Sequence, residues 1–132
     1  MNLVVDTSVL IAVLVSEPER EKLVRLTKNA DLVAPGSVHW EIGNALAAMI
    51  KRKRIDRGQA QAVLKAYERI PIRFRDVDLD LAMQVASDHD LYAYDAYVLV
   101  CAREHRCPLI TLDRNLAQAA KQARVSVVEV PR

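Results

Sequence analysis

The chain has 132 residues, 52% of them apolar and 27% charged, with a formal net charge of +2. This is the length of one domain, able to bury roughly two-thirds of its unfolded surface, and the composition is that of an ordinary globular protein. The charge is too small for a polyanion to be held by bulk attraction, so any such site must come from local arrangement. Two cysteines, Cys101 and Cys107, make no disulfide framework, and no Cys-x-x-Cys or His-x-x-x-His spacing supports zinc.

Apolar, strand-like runs alternate with helical patterns from end to end, which argues for an α/β fold around a mainly parallel sheet. In chain order, Leu3–Val5 reads as the first strand. Ser16-Glu17-Pro18-Glu19 is a capping-box pattern with proline in the first turn, opening a helix to about Lys28. The second strand, Leu32–Ala34, leads through Pro35-Gly36 to Ser37, the expected cap of a long helix through Arg54. Asp56-Arg57-Gly58-Gln59 starts another helix running to Arg69, and Ile72–Arg75 is the third strand. Asp78 and Asp90 are candidate caps of the next two helices. Leu109–Thr111 is the fourth strand, Asp113 the candidate cap of a helix over Asn115–Ala123, and Ser126–Val130 the fifth strand. No run approaches the ~18 apolar residues a membrane span requires, and the N-terminus lacks the basic region of a signal peptide. A cytoplasmic protein with reduced, half-buried cysteines is expected.

Four acids stand where the pattern calls for burial. Asp6 ends Leu3-Val4-Val5, Glu41 lies in Val38-His39-Trp40-Glu41-Ile42, Asp95 in Tyr92-Ala93-Tyr94-Asp95-Ala96-Tyr97, and Asp113 closes Leu109-Ile110-Thr111-Leu112. Carboxylates are rarely buried unless paired or holding a metal, and the first three segments contain no Lys or Arg. In an open α/β sheet, residues after the carboxyl ends of strands line a shared crevice, deepest where strand order reverses. Asp6 and Asp113 follow the first and fourth strands, and Glu41 and Asp95 sit in early helix turns able to lean over that edge. Each acid also has a plainer role open to it, as a helix cap or a first-turn complement to the helix dipole. Two carboxylates ~5 Å apart at an effective dielectric of ~20 repel by roughly 3 kcal/mol. A gathered quartet therefore calls for a cation, and oxygen-only ligands fit magnesium or manganese rather than zinc.

Asp6-Thr7-Ser8 after a short N-terminal strand, Glu41 in a mid-chain helix, Tyr94-Asp95-Ala96 and Leu109-Ile110-Thr111-Leu112-Asp113 together resemble the PIN-domain ribonucleases. The compact length and the Asp-Thr-Ser start resemble, more narrowly, the VapC-type toxins of toxin–antitoxin modules. The resemblance covers essentially the whole chain and implies one PIN-like nuclease domain over residues 1–132, a three-layer α/β/α sandwich on a five-stranded parallel sheet of order 3-2-1-4-5. It implies an endoribonuclease using Mg²⁺ or Mn²⁺ held by Asp6, Glu41, Asp95 and Asp113, with Thr7, Ser8 and Thr111 as supporting hydroxyls. Some relatives carry a further acid where this chain has Asn115, an uncharged oxygen donor, which puts a full second metal site in doubt. The implied partners are RNA, a cognate antitoxin laying a tail over Val9–Val15 and Val38–Ile50, and a second copy of the chain.

The remaining features have two readings each. Lys51-Arg52-Lys53-Arg54 is a solvated helix end whose cations offset the dipole, or a phosphate-contacting patch. Arg114, directly after Asp113, is the best single candidate for a phosphate contact. Among Tyr92, Tyr94 and Tyr97 some are core, and one, with Tyr94 placed beside Asp95, stacks on a base or bonds a phosphate. Trp40 reads as a packing anchor, and the three histidines as ordinary surface or edge residues. Two alternatives to the nuclease are a haloacid-dehalogenase-like phosphatase with Asp6 as nucleophile and a catalytically inactive PIN-type interaction module. The first is disfavoured by Ser8, which stands where such enzymes usually carry a second acid.

Overall fold

Leu3-Val4-Val5 forms the buried part of β1 (Asn2–Val5), with no side chain more than 1% exposed. The chain continues through α1 (Thr7–Leu14), α2 (Arg20–Thr27), β2 (Asp31–Pro35), α3 (Val38–Lys51), α4 (Arg57–Glu68), β3 (Ile72–Arg75), α5 (Leu79–His89), α6 (Ala93–Glu104), β4 (Leu109–Ile110) and α7 (Arg114–Gln122). The computed structural model describes residues 1–131, and their strands pair in parallel in the order β3-β2-β1-β4.

Side-chain alternation along the strands builds two cores. Val4 is level with Val33 on one side and Leu109 on the other, and all three point toward α5, α6 and α7. Leu3, Val5, Ala34 and Ile110 point to the opposite face, where α1, α3 and α4 supply Val9, Leu10, Val38, Ile42, Leu46 and Tyr67. This is the α/β/α sandwich that the alternation of runs requires, since a period of two sends neighbours to opposite faces. Leu99 on α6 is wholly buried in the first core. Leu99→Ala is expected to destabilise the protein by about 2–5 kcal/mol, measured as a lower midpoint in urea unfolding with the native far-ultraviolet circular dichroism retained before the transition.

The fifth strand is present only in outline. The segment Ser126–Val130 runs beside β4 as expected, but it joins through one bridge, Leu109 to Val127, with two backbone hydrogen bonds of 2.9 Å. Its alternation survives, Val127 packing into one core and Val128 and Val130 against the other. β4 itself stops at Ile110, because the Thr111 hydroxyl and the Asp113 amide bond each other and turn the chain out of the ladder.

Three expected caps need correction, and one helix was not expected at all. The run from Val9 to Ala12 is a helix, α1, buried all round, so it carries none of the polar alternation that signals a helix in sequence. Ser16 caps nothing: it closes α1 in the left-handed region (φ 57°) while Glu17 N–H reaches back to the Ala12 carbonyl, and α2 begins later, at Arg20. Ser37 stands at the cap position of α3 without a side-chain cap bond. Asp90 ends α5 in the left-handed conformation, which Asp tolerates, and the residue before α6 is Tyr92. By contrast, Asp56 and Gln59 form the full reciprocal box at α4, and Asp78 accepts from the Leu81 amide.

Candidate active site

β1 and β4 are neighbours at the point where strand order reverses, so the crevice falls beyond their carboxyl ends. Asp6 continues β1 there, and its amide still donates to the Ile110 carbonyl across the switch point (3.1 Å). The side chain is only 4% exposed. It stands at the cap position of α1 but makes no cap bond. Instead its Oδ2 accepts hydrogen bonds from the Ser8 hydroxyl and the Thr111 hydroxyl, both 2.7 Å. Those hydroxyls accept in turn, Ser8 from the Leu112 amide and Thr111 from the Asp113 amide, each at 3.0 Å.

Asp113 uses Oδ1 to cap α7, accepting from the Asn115 and Leu116 amides. The cap and the site are thus compatible, one carboxylate serving both. Glu41, in the first turn of α3, accepts a 2.7 Å hydrogen bond at Oε1 from the Thr7 hydroxyl. Asp95 sits in the first turn of α6. All four line one open cleft of about 460 Å³, together with Thr7, Ser8, Ile11, Glu17, Asn44, Ala45 and Leu112.

The electrostatics follow from burial and crowding. Burial pushes Asp6 above its ordinary pKa, against the pull of the Ser8 and Thr111 hydrogen bonds, with Asp113 adding repulsion. Glu41 is raised by burial, against the Thr7 hydrogen bond, with Asp6 and Asp113 repelling it. Asp95 is pushed up to about 6, first by burial and then by Asp6, Asp113 and Glu41. Among the described residues no cation side chain lines the cleft; hydroxyl hydrogen bonds offset burial at Asp6 and Glu41, while Asp95 has only the other carboxylates after burial.

The donor set suits a hard cation: oxygen ligands of net negative charge in a half-buried, water-accessible cleft. Among the described residues, no group of three or more His, Cys, Asp or Glu side chains is already arranged to hold a metal ion. The carboxylates line an open crevice.

Other expected site residues fall elsewhere. Asn115 lines a separate pocket with His89, Asp90 and Gln118. Arg114 lines a neighbouring groove with Gln118, Lys121 and Glu129. Lys51 and Arg52 are exposed at the far end of α3, about 15 Å along the axis from Glu41 at 1.5 Å per residue. Tyr94 is 39% exposed and meets Tyr97 edge-to-face at 6.2 Å, Tyr97 being partly in the core. Trp40 is no packing anchor: it is 73% exposed, because the buried stripe of α3 is Val38, Ile42 and Leu46, on the far side of the helix. Glu17 and Asn44 were not expected at the cleft. Glu17 arrives there through the left-handed turn at Ser16, which nothing in its sequence neighbourhood signals; Asn44 could have been found as the residue one turn beyond Glu41.

Acids from four separate segments, meeting where a parallel sheet reverses its strand order, define an α/β/α protein with an acidic crevice at its switch point. A model of the PIN domain family matches residues 3–122, and the chain belongs to that family. Solved structures share the fold across nearly the whole chain. PAE2754 from Pyrobaculum aerophilum is 23% identical, with a TM-score of 0.73 over 96% of this chain and 83% of that one. VapBC2 from Rickettsia felis, solved bound to a DNA fragment from their promoter, is 12% identical, with a TM-score of 0.70 over 97% and 98%. VapC20 from Mycobacterium tuberculosis, a sarcin–ricin-loop-cleaving toxin, is 17% identical, with a TM-score of 0.66 over 89% and 94%. No curated protein sequence matches the chain. Family membership sets aside the phosphatase alternative.

Proposed function

We propose that this protein is a magnesium- or manganese-dependent endoribonuclease, the toxin of a toxin–antitoxin pair. The observation that carries the reading is the convergence of Asp6, Glu41, Asp95 and Asp113 on one cleft in which burial and mutual repulsion raise the first three in pKa. PIN-family membership and the fold shared with an RNA-cleaving toxin support it. When bound, the cation supplies an activated water and neutralises charge on the phosphoryl oxygens. The chain's own residues hold and orient. Thr7 fixes Glu41, and Ser8 and Thr111 fix Asp6. Asp6, Glu41, Asp95 and Asp113 would hold the cation, and one of these carboxylates would orient the attacking water. Thr111 and Ser8 together seat the backbone that presents Asp113.

The partner reading is a cognate antitoxin whose tail covers apolar surface and brings a cationic side chain to the cleft. Val9–Ala12 are core residues, which removes them from any such surface and leaves Val13–Val15 and the outer face of α3. A homodimer through helix faces and a cytoplasmic location complete the proposal; no helix among the described residues is long and apolar enough to cross a membrane. The test has two arms. Purified protein should cleave RNA with magnesium or manganese and stop on adding EDTA. Expression in a host cell should arrest growth, Asp6→Asn should not, and the adjacent small gene should rescue. EDTA-resistant cleavage would overturn the metal reading; harmless expression of an active nuclease would overturn the toxin reading.

A further inference from the structure

Trp40 is the only tryptophan in the chain and is 73% exposed, beside a residue of the acid cleft. Burying an indole is strongly favourable, so leaving one in water at this position asks for an occupant. Helix geometry places it. Trp40 lies one turn before Asn44 and about 40° from it around α3, and Asn44 lines the cleft. Side chains on a helix lean toward its N-terminus, and the N-terminus of α3 is at the carboxyl edge of the sheet. The indole therefore stands at the lip of the crevice, outside the carboxylates.

The N-terminal end of α3 carries further aromatic groups. On the side away from the cleft, His39 lies over Phe74 with ring centroids 4.2 Å apart and bonds the Tyr67 hydroxyl through Nδ1 at 2.8 Å. Phe74 is 38% exposed on the edge strand β3 and faces α3; Arg73 and Arg75 alternate to the other face, Arg75 reaching the carboxyl edge beside Gly36 and Ser37. A strand of nucleic acid leaving an acidic cleft meets repulsion there, so it is held by what flanks the cleft. Aromatic faces with a cation at the same edge are a flank that single strands use, since every base has a face to stack and every phosphate a charge.

We propose that Trp40 is a stacking platform for a base adjoining the scissile phosphate, and that the single-stranded RNA runs from the acid cleft over Trp40 along the carboxyl edge toward His39, Phe74 and Arg75. The inference rests on the ribonuclease reading and names how that site holds its substrate. A protein tail is the competing occupant of the same indole.

Because the chain has one tryptophan, its fluorescence reports this contact directly. Asp95→Asn protein, chosen so that RNA is not consumed, is titrated with a mixed-sequence single-stranded oligoribonucleotide. The emission should be quenched on saturation, and the same sequence in a perfect duplex should quench it far less. In cleavage assays Trp40→Ala should raise KM about tenfold or more, with kcat changed less than about twofold. Trp40→Phe should recover most of the loss. The exposed position predicts an unchanged melting temperature for both variants. If wild-type protein neither binds nor cleaves RNA, the ribonuclease reading falls and this inference with it. If RNA is cleaved while the emission and the Trp40→Ala KM stay unchanged, only the platform is overturned and the indole belongs to a protein partner.

Discussion

Asp6→Asn, Glu41→Gln, Asp95→Asn and Asp113→Asn are each expected to lower ribonuclease activity roughly a hundredfold or more. Single-turnover cleavage of a labelled RNA at saturating manganese is the measurement. The amide replacements keep shape and an acceptor oxygen, so Asp6→Asn still receives the Ser8 and Thr111 hydroxyls while losing the charge. Full activity in the Asp6→Asn, Asp95→Asn double variant would remove the acid quartet from the chemistry.

The second large effect is the pH dependence of stability without metal. Asp95 has a folded pKa of about 6 against an ordinary 3.8. A carboxyl raised in the folded state holds its proton longer there than in the unfolded chain. Its contribution to stability is complete below the unfolded value and is lost as pH rises through about 6. Asp6 and Glu41 are displaced in the same direction. In EDTA, wild-type protein should therefore melt close to Asp95→Asn at pH 4 and below it at pH 7.5. Manganese should reverse the order at pH 7.5, because it binds the folded, ionised site and stabilises by mass action. It should do little at pH 4, where protons compete for the same oxygens. Equal melting temperatures for the two proteins at every pH, with no response to manganese, would return Asp95 to a structural role.

Much of this architecture was legible in the sequence because its signals are local. The strands Leu3–Val5 and Ile72–Arg75 announce themselves as apolar or β-rich runs, and Asp56-Arg57-Gly58-Gln59 carries its complete cap in four residues. The acids were visible as charges in segments otherwise patterned for burial, and the structure brings all four to one cleft. What was hidden depends on tertiary context. Val9–Ala12 in α1 are all buried, so the run has no helical period to read. Trp40 reads in sequence as a packing anchor, yet the phase of α3 is set by Val38, Ile42 and Leu46 and turns it outward. Glu17 reached the cleft through a left-handed turn that Ser16 does not advertise. The fifth strand kept its alternation and lost its ladder, since pairing depends on how far β4 extends before Thr111 leaves it.

The two hydroxyls on Asp6 have a consequence for how the acids can be told apart. Ser8 and Thr111 each give a proton to one buried carboxylate oxygen and take one from the backbone of Leu112 and Asp113. The first acid is in this way the template on which the fourth is laid, although 107 positions separate them in the chain (113 − 6). Losses from the two cannot be independent, because whatever unseats Asp6 also misplaces Asp113. Removing both is expected to cost less than the sum of removing each, so Asp6 and Asp113 have no separable shares to assign: the pair behaves as one mechanical part.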